Sequence, residues 1–103
     1  VSRASIDDLR LTLQEVIDLL HAHGDTYVAN GLIDKKRRLV KGDPTVISSL
    51  VAETTGGSGS LNDRILSTAN GDRIALDDEN AVNAKLRQLV DQLRSQALAE
   101  ATA

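Results

Sequence analysis

Apolar residues recur along most of the chain at the three- and four-residue spacing of amphipathic helices. Ile6, Leu9, Leu13, Val16, Ile17 and Leu20 form one narrow stripe, which predicts a helix from about Ser5 to His23. Ser5 and Asp8 resemble a capping box there, and Gly24 supplies a left-handed stop. Asp25 then caps a second helix over about 26–41, with Val28, Ala29, Leu32, Ile33, Leu39 and Val40 as its apolar positions and Gly42 as its end. So short a junction requires the two helices to run antiparallel. Asp43 caps a third helix, with Pro44 at its first position, where the missing N–H costs nothing. Its apolar positions are Val46, Ile47, Leu50 and Val51, and Gly56 and Gly57 break it. A last helix starts at Asp77 or Asp78 and runs to about Leu98 on Val82, Leu86, Leu89, Val90, Leu93 and Ala97.

The chain between the third and fourth helices lacks that period. Gly56-Gly57-Ser58-Gly59-Ser60 reads as a loop, and Asn70-Gly71 is a turn signal between Ile65/Leu66 and Ile74/Leu76. Residues 61–76 therefore admit either a short β-hairpin or irregular structure. The expected architecture is mainly α: a small four-helix bundle with an irregular Gly-rich insert before the last helix. It forms one domain over residues 1–103, with flexible ends at 1–4 and 99–103.

Composition narrows the chemistry. The 103 residues include 15 Leu, 8 Val and 6 Ile, enough for one small core. No cysteine is present, which removes disulfides, thiolate metal sites and cysteine nucleophiles. The single aromatic, Tyr27, argues against base stacking on single strands. The net charge of −3 resides entirely in residues 52–103, so no overall basic field exists to attract nucleic acid. No apolar run is long enough for a membrane span, and no secretory pattern opens the sequence as given. A cytoplasmic location without a cofactor is the expectation.

Candidate chemistry is sparse. His21 and His23 point about 200° apart on a helix and cannot share a metal as residues four apart do. No nucleophile elbow surrounds Ser58 or Ser60, and no Lys follows the glycines as a P-loop requires. The third helix carries no basic residue with which to read DNA. Lys35-Lys36-Arg37-Arg38 is the densest charge run. Lys36 falls near the apolar arc, where it either snorkels past the helix end or meets a carboxylate such as Asp63. Leu11 and Leu19 lie off the main stripe, against a further helix or on a homodimer surface.

The run Gly57-Ser58-Gly59-Ser60-Leu61-Asn62-Asp63, followed by Asn70-Gly71 and a helix containing Glu79, Asn80 and Leu86, resembles a family of short uncharacterised bacterial helical proteins. That family carries a Gly-x-Gly-Ser-Leu/Phe-Asn-Asp segment before an Asn-Gly turn. The resemblance implies a small accessory protein with a binding role such as toxin neutralisation. It also directs attention to Leu61 as an anchor in the core, with Asn62 and Asp63 capping the turn.

With no catalytic constellation, the expected function is non-enzymatic: a protein-interaction module, immunity-like in the toxin-neutralising sense. Its expected partner surface combines Lys36, Arg37 and Arg38 with Ser58, Gly59, Ser60, Asn62 and Asp63. The alternative is a small-molecule or anion-binding domain that uses the Gly56–Asp63 loop.

Overall fold

The computed structural model describes residues 3–56, 61 and 64–102. Four helices account for most of them: α1 (Arg3–Ala22), α2 (Thr26–Val40), α3 (Thr45–Thr55) and α4 (Glu79–Ala101). No strand occurs among the described residues. Helix α1 packs against both α2 and α4, and α3 packs against α4, while α2 and α3 meet less extensively than any of these pairs. The α1/α2 pair is antiparallel, since Lys36 late in α2 reaches Gln14 well before the end of α1.

The stripes read from the sequence close over one another. Leu9, Leu13, Val16, Ile17 and Leu20 of α1 are buried with Ala29, Leu32 and Leu39 of α2 and Val46 and Leu50 of α3. Leu86, Leu89, Val90, Leu93 and Ala97 of α4 complete the core, and Leu61 and Leu66 plug into it from the connection between α3 and α4. Fully burying a leucine stabilises by about 1.5–3 kcal/mol, so these two tether that connection to the bundle. Val40 departs from expectation: it is exposed at the end of α2, where Leu39 beside it takes the buried position of the last turn.

The Gly-Asp dipeptide recurs at three corners. At Gly24, Gly42 and Gly71 the backbone turns into the left-handed region, with φ of 82°, 83° and 85°. The following aspartate N–H then bonds back to a carbonyl five residues earlier: Asp25 to Leu20, Asp43 to Arg38 and Asp72 to Ser67. Side chains other than glycine rarely adopt this closing geometry, and each aspartate carboxylate is left facing the next segment. Asp25 caps α2 by accepting the Val28 N–H at 3.1 Å. Asp43 accepts the Thr45 N–H at 2.9 Å and the Thr45 hydroxyl at 2.7 Å. Pro44 already has helical angles (φ −69°, ψ −18°), which places the α3 start within a residue of its sequence reading.

Both ends of the bundle differ from expectation. Helix α1 begins at Arg3, so Ser5 lies inside it rather than capping it; Arg3 and Ala4 are strong helix formers and extend the first turn. Helix α4 is entered through a 3₁₀ turn, Leu76–Asp78, and Asp78 makes no side-chain capping bond. It continues to Ala101, beyond the expected end at Leu98, and Glu100 is buried there.

The described residues between α3 and α4 are irregular. The Asn70-Gly71 signal produces a 3₁₀ turn over Thr68–Asn70 that closes on Gly71, rather than the corner of a hairpin. The backbone finds partners elsewhere. Asn83 of α4 accepts the Leu66 N–H and donates to the Leu66 carbonyl, both at 2.8 Å. His23 and Arg73 exchange a second reciprocal pair: the Arg73 N–H donates to the His23 carbonyl and His23 Nδ1 donates to the Arg73 carbonyl, each at 2.8 Å.

Candidate functional site

Two surfaces stand out among the described residues. Among the described residues no group of three or more His, Asp or Glu side chains is placed to hold a metal ion. His21 is exposed, and His23 is engaged by the Arg73 backbone.

The first surface is the connection over residues 64–78. Arg64 organises it from within. Its Nε donates to Asp25 at 2.7 Å, a second nitrogen donates to Asp72 at 2.6 Å, and a third donates to the carbonyl of Ile65. Asp72 also accepts the Ser67 N–H at 2.9 Å. Burial disfavours the charged form of Asp72, but the Ser67 N–H and the Arg64 guanidinium outweigh it, and its pKa lies below the ordinary carboxylate value. Burial likewise opposes the charge on Arg64, and its bonds to Asp25 and Asp72 overcome that, raising its pKa. From the other side, Glu79 accepts the Thr68 N–H at 3.0 Å, and the Thr68 hydroxyl donates to the Ile74 carbonyl at 2.9 Å. Held this way, the connection turns two large apolar side chains to solvent: Ile65 is 54% exposed and Leu76 74%.

The second surface is a groove of about 310 Å³ at the sparsely packed seam of α2 and α3, lined by Tyr27, Val28, Gly31, Leu32, Lys35 and Glu53. That volume lies at the small end of ligand pockets, which run from about 300 to 1,000 Å³. Tyr27 is 89% exposed at its edge. Gly31 sits mid-helix, and a Cβ added there would meet nothing within 4 Å. A glycine inside a helix destabilises by about 0.5–1 kcal/mol relative to alanine, and nothing in the packing of the described residues requires this one.

The expected site residues fall out as follows. Lys36 donates to the side-chain oxygen of Gln14, and Gln14 in turn donates to Asp18 at 2.8 Å. Arg37 lies 3.7 Å from Asp34. Arg38 bridges Asp43 at 3.0 Å and the Thr45 hydroxyl at 3.0 Å, locking the α2–α3 corner. Asp43 is held at a pKa of about 2 by the Thr45 hydroxyl and N–H and then by Arg38. Arg37 and Arg38 therefore stand at one end of α3 and Gly56 at the other, separated by 11 helical residues, about 16 Å at the helical rise. Ser58, Gly59, Ser60, Asn62 and Asp63 lie outside the described residues. Leu19 packs partly buried against the core, whereas Leu11 is exposed.

The sequence reading missed Arg64, Asp72, Asn83 and the Tyr27–Gly31 face. The signal for Asp72 was the repeated Gly-Asp dipeptide, which sets a carboxylate at each corner; Arg64 and Asn83 carried no such local signal. No helix among the described residues is long and apolar enough to cross a membrane. Compared with protein-family models, curated proteins and solved structures, the chain matches none, so its functional reading rests on these two surfaces.

Proposed function

We propose that this chain is a protein-interaction module whose working surface is the connection between α3 and α4. The observation that carries this reading is the contrast between how firmly residues 64–78 are held and what they display. Arg64, Asn83 and Glu79 fix the backbone, and Ile65 and Leu76 are turned outward on it. Binding residues concentrate on loops positioned by a rigid scaffold, and outward apolar side chains on such a loop suit a protein surface better than a small ion. The Gly56–Asp63 segment leads directly into this surface in sequence, so Ser58, Ser60 and Asp63 belong to the proposal. The basic end of α2, across the length of α3, does not. The family resemblance makes a toxin the partner class to try first.

The test is site-specific crosslinking in the source cell. A photoreactive side chain at Leu76 is expected to give one adduct of discrete mass. Ile65→Asp should abolish that adduct, and a photoreactive group at Leu98 on α4 should give none. Equal crosslinking from positions 76 and 98, or no discrete adduct at 76, refutes the assignment.

A further inference from the structure

We propose that the α2–α3 groove is the docking site for a second copy of this chain, forming a two-fold dimer. This goes beyond the interaction surface proposed above and lies on a different part of the molecule. Three observations converge on it. Tyr27, the chain's one aromatic residue, stands almost wholly in solvent at the groove edge, and tyrosine is enriched where protein surfaces meet. Gly31 leaves the middle of α2 without a side chain although space is open above it. It lacks the positive φ that would call for glycine, so its use is close approach by another backbone.

The charges select the occupant. Lys35 and Glu53 line the same groove with opposite signs, and neither has an ion-pair partner among the described residues. A two-fold interface presents the same patch from both sides, so that residue i meets residue j and j meets i. A patch carrying one unpaired cation and one unpaired anion complements itself under that operation. Lys35 of each copy faces Glu53 of the other, with Gly31 near the axis and Tyr27 closing the edge. A foreign partner would need a matching pair of charges; a second copy brings them by symmetry.

Sedimentation velocity on the full chain over a wide concentration range tests this. The parent chain is expected to self-associate. Lys35→Glu and Glu53→Lys should each weaken association by about tenfold or more, because like charges then face each other. Mixing the two variants should restore dimers, as should combining both changes in one chain. Gly31→Gln should raise the melting temperature of the monomer through better helix propensity while abolishing association, so a loss of dimer cannot be ascribed to unfolding. A parent chain that stays monomeric overturns the proposal. So does a mixture of the two charge variants that remains monomeric, or a Gly31→Gln chain that dimerises like its parent. A dimer broken by Leu11→Asp but indifferent to the α2 and α3 variants assigns the interface to α1 and overturns it equally.

Discussion

Replacing Arg64 by methionine isolates what pins the α3–α4 connection. The guanidinium makes charged hydrogen bonds to Asp25 and Asp72 and a third bond to the Ile65 carbonyl. Bonds of this kind contribute about 1.5–3 kcal/mol each. The Arg64 side chain is 21% exposed, which screens them, while its two carboxylate partners are only 7% and 8% exposed. Removing the cation leaves those carboxylates behind, but each retains a backbone N–H, from Val28 and from Ser67. The penalty for orphaning a buried charge, about 3–5 kcal/mol, therefore applies in part. The expected loss is about 3 kcal/mol, or roughly 12–20 °C in Tm for a domain of this size. Urea unfolding followed by far-ultraviolet circular dichroism measures it; fluorescence does not serve, because the one aromatic is already in water in the native state. Adding Asp72→Asn to Arg64→Met should cost less than the two changes separately, with a coupling of about 1–2 kcal/mol. A coupling below about 0.5 kcal/mol, or an Arg64→Met chain as stable as its parent, refutes the reasoning.

Two further perturbations follow from the same geometry. Asn83→Ala removes both bonds to the Leu66 backbone and should cost about 1.5–3 kcal/mol, with loss of hydrogen-exchange protection at the Leu66 amide. Asn83→Asp keeps the acceptor but not the donor and should preserve that protection. Asp43 and Asp72 bind protons less readily in the folded chain than in the unfolded one. Their contribution to stability is complete above the ordinary aspartate value near 3.9, and for Asp43 it is lost as pH falls towards about 2. Asp43→Asn should therefore flatten the dependence of stability on pH between about 4 and 2, read from urea midpoints at each pH. An unchanged slope contradicts the role given to the α2–α3 corner.

The helices were legible because a period of 3.6 residues is a local property. The stripe from Leu9 to Leu20 and the stripe from Leu86 to Ala97 each identify their own buried side without knowledge of a partner. Gly24 and Gly42 were legible for a similar reason: the helix end itself demands their backbone angles. What escaped was long-range. Nothing near Arg64 in sequence indicates that Asp25, thirty-nine residues earlier, will meet it, and nothing near Asn83 points to Leu66. The Asn70-Gly71 signal foretold the turn but left hairpin and irregular structure both open, for a related reason. It specifies a turn but not what the flanking segments pair with, and here those partners are single side chains and the His23 corner rather than a second strand. Lys36 shows the same limit, since its position on the buried side was readable but its partner on α1 was not.

The grip of Asn83 on Leu66 bears on how this protein keeps to itself. An extended segment usually completes its hydrogen bonding along a neighbouring strand, and a ribbon of that sort ends in an open rim to which other chains can add. Here a carboxamide projecting from a helix occupies the donor and acceptor of Leu66 together. The segment is thereby fixed in place while leaving no free rim at that residue, so that stray chains find no template for fibre-like stacking there.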